Sequence, residues 1–107
     1  MEFQSLVHRA MTLRKKYELK ETELYGSPST IDQIAEGFAG DVNNLIKFMQ
    51  AEQGKRDIAL STEKIESQLA HCLWSVITIS QMRGIELDRA FMEAMDRLEA
   101  HMMEADE

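Results

Sequence analysis

The sequence predicts an all-α protein, a four-helix bundle, on three observations. Apolar residues recur at three- and four-residue spacing in four separate stretches. Pro and Gly are scarce, 1 and 5 in 107 residues, so few breaks interrupt those stretches. Met is frequent at 8 residues, which fits long helices and leaves strands poorly supported.

The first helix is read from Phe3, Leu6, Val7, Ala10, Met11, Leu13 and Tyr17, with Arg9, Arg14, Lys15 and Lys16 mostly opposite. From Glu18 to Thr30 the period is lost, and Tyr25-Gly26-Ser27-Pro28 has turn composition, so this segment is expected to be a linker. Thr30-Ile31-Asp32-Gln33 then supplies a T-x-x-Q capping box for a second helix, which carries Ile31, Ile34, Phe38, Val42, Leu45, Phe48 and Met49 on one side. It is expected to run to Gly54, a residue suited to a left-handed C-terminal cap. Gly37 and Gly40 fall inside it, each costing about 1 kcal/mol relative to Ala, so close packing or sequence drift must account for them.

Lys55 to Leu60 reads as a short connection, with Ser61 capping a third helix and Glu63 in its first turn. Leu73, Trp74, Val76, Ile77 and Ile79 wrap more than one face of that helix, as expected of the central, most buried element. Gly84 ends it. A fourth helix carries Leu87, Phe91, Ala94, Met95, Leu98 and Met102 on one side, and the acidic tail from Glu104 to Glu107 is expected to fray. Residues 1–107 read as a single domain. A chain of this length hides only roughly two-thirds of its unfolded surface, so a homo-oligomer, dimeric or tetrameric, is expected.

The charge balance bounds the partners. With 12 Lys and Arg against 19 Asp and Glu, the net charge is −7, which argues against duplex DNA because backbone binding rests on a basic surface releasing counterions. A single cysteine, Cys72, makes no internal disulfide, and no basic-plus-apolar leader is read at the N-terminus, so the expected compartment is cytoplasmic. No apolar run approaches the roughly 20 residues of a membrane span, so no membrane partner is expected.

Two polar pairs interrupt the apolar stretches: Asp41 with Asn44, and Gln68 with His71. Each pair is three residues apart and shares a helix face, and two antiparallel helices would bring both together. Leaving a buried polar group unpaired costs on the order of 1–3 kcal/mol, so four such residues suggest a lined pocket. Read singly, each has a plainer explanation: Asp41 as a partly exposed carboxylate, Asn44 and Gln68 as partners across a helix interface, His71 as a satisfied interior imidazole. Lys47, one turn beyond Asn44, could meet phosphate oxygens, as could Lys55 and Arg56; a solvated face is the plainer reading. Trp74 and Phe48 could border a base or simply pack. Cys72 reads as core, and Met92, Met95, Met102 and Met103 as adaptable packing at a subunit contact.

The run Leu69-Ala70-His71-Cys72-Leu73-Trp74, followed by Arg83-Gly84-Ile85-Glu86-Leu87-Asp88-Arg89-Ala90-Phe91, resembles the MazG-like all-α nucleoside triphosphate pyrophosphohydrolases. In that family a helix of pattern E-x-x-D-x-x-W leads to a G-I-D-L turn and an amphipathic closing helix. Gly40-Asp41-Val42-Asn43-Asn44-Leu45 falls where the family places E-E-x-x-E before Leu, and the resemblance extends from Phe3 to about Met102. It implies a four-helix fold, Mg²⁺ or Mn²⁺ as cofactor, and hydrolysis of a (deoxy)nucleoside triphosphate to monophosphate and pyrophosphate.

The metal positions map to Gly40, Asp41, Asn44, Gln68 and His71, so one carboxylate stands where the family has five. The basic and amide residues of the family's last helix are also missing, with Ala94 and Leu98 near their places. Mg²⁺ should therefore bind weakly, whereas an imidazole favours Zn²⁺, Mn²⁺ or Ni²⁺. Two expectations stand together: a nucleotide-binding relative that hydrolyses its ligand when active, with Asp41 the strongest ligand candidate, and a non-catalytic helical interaction protein that keeps the scaffold without the ions.

Overall fold

The structure is a computed structural model that describes residues 1–55, 59 and 61–105, with the side chains of residues 61 and 105 outside the description. It is all-α, with four helices in the order α1 (Phe3–Tyr25), α2 (Ile31–Glu52), α3 (Ser61–Met82) and α4 (Leu87–Ala105), and no strand among the described residues.

α1 is longer than expected. Glu18 to Tyr25, read as linker, continues the helix to Tyr25. The physical reason lies in pairing that apolar periodicity does not register. Arg14 bonds Glu21 two turns on, and the residues between, Leu19 and Lys20 among them, are good helix formers. The helix ends where Gly26 takes φ 86° and its N–H donates to the Thr22 carbonyl.

The capping box of α2 forms as the sequence predicts. Thr30 Oγ1 accepts from the Gln33 N–H at 3.2 Å, and Gln33 Oε1 accepts from the Thr30 N–H at 2.8 Å. At the other end Gly54 adopts φ 77°, and the Lys55 N–H donates to the Gln50 carbonyl at 2.9 Å, closing the helix in the expected left-handed manner. The inferred connection over Lys55–Leu60 and the cap at Ser61 lie largely outside the described residues. Glu63 does occupy the first turn of α3. Gly84 closes α3 at φ 67°, with the Ile85 N–H donating to the Ser80 carbonyl at 2.8 Å. Of the tail expected to fray from Glu104 to Glu107, Glu104 and Ala105 are helical and the last two residues lie outside the described residues.

α2 and α3 form the most extensive pair, and three contacts set them antiparallel. Thr62 donates to Glu52 at 2.6 Å, the Lys64 ammonium sits 5.7 Å from the Phe48 ring centre, and Asp41 lies close enough to Cys72 to act on its thiol. The residue numbers across the pair sum to a nearly constant value, as an antiparallel register requires. α1 packs against α3 less extensively, with the Trp74 Nε1 donating to the Ala10 carbonyl at 3.0 Å.

The interior sits where α1 meets the C-terminal half of α3: Val7, Ile77, Thr78 and Ser80 are buried there. α3 is the most buried helix only along that half. Leu73, expected inside, is exposed, as is Leu69 one turn before it. α4 stands off from the other three helices, and the molecule extends 58 × 41 × 28 Å. No helix among the described residues is long and apolar enough to cross a membrane.

Candidate functional site

Three helices enclose a cleft of about 300 Å³. α1 contributes Arg14 and Tyr17, α2 contributes Gln33, Ile34, Gly37 and Asp41, and α3 contributes His71, Trp74, Ser75 and Thr78, with Ser29 of the α1–α2 turn at one end. Of the residues singled out from sequence, Asp41, His71 and Trp74 meet in this cleft.

Asn44, Gln68 and Lys47 are not part of its lining. The antiparallel register carries Asn44 to the level of Gln68, but Asn44 and Lys47 are exposed. Gln68 is half-buried, and its Oε1 is buried with no hydrogen-bond partner. Glu36, Glu63 and Glu66, further carboxylates on α2 and α3, are exposed as well.

Arg14, expected on the polar face of the first helix, is only 7% exposed. The signal was present: Val7, Ala10, Arg14 and Tyr17 are spaced three and four apart, which puts Arg14 in the middle of the inward stripe. Its Nη2 bonds the Glu21 carboxylate, and the same Glu21 oxygen accepts from the Ser29 N–H at 2.8 Å. Arg14 Nε lies 3.8 Å from Glu18 Oε1 and is buried without a hydrogen-bond partner. Burial pushes the Glu21 carboxyl upward, but the Ser29 amide and the Arg14 guanidinium outweigh it, so the group titrates below its ordinary value.

The aromatic wall of the cleft is a Tyr17–Trp74 pair in edge-to-face contact, with ring centres 5.3 Å apart and planes at 65°. Gly37 opens the opposite wall, since a Cβ built there meets nothing within 4 Å. The same holds at Gly40, so close packing explains neither glycine. Burial and then the Asp41 carboxylate push the Cys72 thiol up, which makes it a poor nucleophile and fits its reading as a packing residue.

The donors in this cleft do not fit the metal centre that the resembled family implies. A hard divalent ion holding a triphosphate needs several carboxylate oxygens around it. The cleft offers Asp41 and the His71 imidazole, and the described residues include no group of three or more His, Cys, Asp or Glu side chains placed to hold a metal ion. Because Glu21 and Glu18 neutralise Arg14, the Asp41 carboxylate is left without a paired cation in the cleft, which opposes binding of a bare polyphosphate. Hydroxyls, an amide and an aromatic wall suit a neutral polar ring better.

Comparison with known protein families, curated proteins and solved structures finds no match to this chain.

Proposed function

We propose that this protein is a MazG-like nucleotide-binding relative in which the cleft between α1, α2 and α3 receives the nucleoside part of the ligand, and in which metal-dependent pyrophosphate release has been lost. The observation that carries this reading is the meeting of Asp41, His71 and Trp74, from two motifs about 30 residues apart, in one cleft with Arg14 and Tyr17. The indole and phenol rings would pack against the base. Ser29, Gln33 and Ser75 supply hydrogen-bonding groups for its edge and for the sugar hydroxyls.

The test is calorimetric titration of nucleosides, nucleoside monophosphates and triphosphates with and without Mg²⁺ or Mn²⁺, while pyrophosphate is followed. The reading expects binding of nucleosides and monophosphates without metal, weakened by Trp74→Ala and Asp41→Ala, and no pyrophosphate. Mg²⁺- and Asp41-dependent turnover would restore the pyrophosphohydrolase reading. Silence from every ligand would remove the nucleotide.

A second reading, a helical interaction protein, is favoured by one observation. Phe91, Met92, Leu98, Met102 and Met103 on α4 are each more than half exposed. A homo-oligomer belongs to this reading.

A further inference from the structure

A single carboxylate oxygen anchors the turn that ends the cleft. Glu21 Oε1 accepts from Arg14 Nη2 and, at 2.8 Å, from the Ser29 N–H. The contact reaches seven residues back along α1 and eight residues forward into the α1–α2 turn, so one group ties that turn to a buried guanidinium. The Glu21 side chain is itself only 17% exposed, where water competes poorly and charge-assisted hydrogen bonds are strong.

Glu21 does not line the cleft, but the residues it places do. Ser29 borders one end, and Thr30, the next residue, exchanges two hydrogen bonds with Gln33, which borders the same cleft. A shift of Ser29 is therefore passed to Gln33 through the capping box. Asp41 lies two turns beyond Gln33 on α2, about 12 Å along the axis, where the contact with α3 sets the wall instead.

We propose that Glu21 is a positioning residue for the cleft: without touching a ligand, its carboxylate sets where Ser29 and Gln33 stand, and so how well the cleft holds its occupant. That the occupant is a nucleoside rests on the function proposed above, whereas the placement of the turn does not. The charge is what suits Glu21 to this task. A glutamine there would still offer an oxygen to the Ser29 amide, but it would lose the ion pair with Arg14, whose other acidic neighbour, Glu18, stands 3.8 Å off and is 43% exposed. Burial pushes the Glu21 carboxyl up, and the Ser29 amide and Arg14 bring it below its ordinary range, so the anchor is charged at neutral pH. Arg14 and Glu18 are the charged groups beside it on α1, and α2 and α3 present Asp41 and His71 along the same cleft.

Amide NMR of the whole chain, with and without a nucleoside, tests this. In Glu21→Gln the Ser29 and Gln33 amides should shift together while those of α4 stay in place, and Glu18→Gln should move neither. Nucleoside affinity should fall about tenfold in Glu21→Gln, the loss of one charge-assisted hydrogen bond, and keep its parent value in Glu18→Gln. Should Glu21→Gln fail to fold, acid titration of the unaltered chain gives a second measurement: the Ser29 amide should follow one proton with a midpoint below 4.5. Unmoved Ser29 and Gln33 amides overturn the proposal, as do shifts spread evenly over all four helices, which mark a general loss of stability. Glu21→Gln binding as tightly as the parent overturns it too. A parent chain that binds no nucleoside sinks the nucleotide reading alone, and the amide shifts then decide the role of Glu21.

Discussion

The indole Nε1 of Trp74 donates a 3.0 Å hydrogen bond to the main-chain carbonyl of Ala10, tying α3 to α1 across 64 residues of sequence. The same ring meets Tyr17 edge to face, so one side chain both joins the two helices and forms a wall of the cleft. Fold and site are coupled through it.

Trp74→Phe keeps a ring and removes the donor. It should cost about 1 kcal/mol, the net worth of one hydrogen bond, together with some packing. Trp74→Ala, which also empties the wall, should cost about 3 kcal/mol, the lower end for an aromatic truncation because the ring is only half-buried. Urea unfolding followed by circular dichroism measures both; equal costs for the two variants would show that the hydrogen bond, not the ring, is what matters.

Glu21 gives a pH dependence of known sign. Its folded pKa lies below the ordinary 4.5, so the carboxylate stabilises the fold fully above the unfolded value, and that contribution is lost as pH falls through the lower folded value. Glu21→Gln should therefore destabilise the protein by about 1–2 kcal/mol at neutral pH, since a charge-assisted pair with a buried Arg14 is weakened. The gap between variant and parent should close in acid, below the folded pKa. Thermal melts at neutral and acid pH decide it, and a gap that persists at low pH contradicts the assignment.

At the start of α2, Thr30→Ala removes the oxygen that accepts from Gln33, and should lower stability by about 1 kcal/mol. Gln33→Ala removes the reciprocal bond, and because Gln33 also lines the cleft it should weaken ligand binding, which Thr30→Ala should not.

The two glycines inside α2 separate stability from binding. A Cβ at either meets open space, so Gly37→Ala and Gly40→Ala should each stabilise the helix by about 0.5–1 kcal/mol. Gly37 lines the cleft and Gly40 does not, so only the first should also reduce ligand affinity. Parallel melts and titrations of the two variants check this; equal affinity in both would exclude a ligand seated against Gly37.

Most of the helix boundaries were legible locally. A Thr-x-x-Gln cap, a glycine at φ 77° and another at φ 67° act within one turn, so residue spacing was enough to place them. The reach of α1 was not, because Glu21 is held by a side chain two turns away, and apolar periodicity carries no information about ion pairs. In the candidate site, helical spacing linked Asp41 with Asn44 and Gln68 with His71, but a shared helix face is an arc. Rotation of α2 against α3 decides which edge of that arc meets the cleft, and it admits Asp41 and His71 while leaving Asn44 to solvent.

By itself the sequence determined four helices, the capping box of α2, the glycine stops after α2 and α3, and a candidate site poor in carboxylates, because helix formation and side-chain charge are properties of neighbours along the chain. Only the tertiary structure placed Arg14 inside, gathered Asp41, His71 and Trp74 into one cleft, and left the apolar seam of α4 without a cover. Those outcomes depend on how rigid helices rotate and lean against one another, and that is set by packing summed over many weak contacts at long sequence separation.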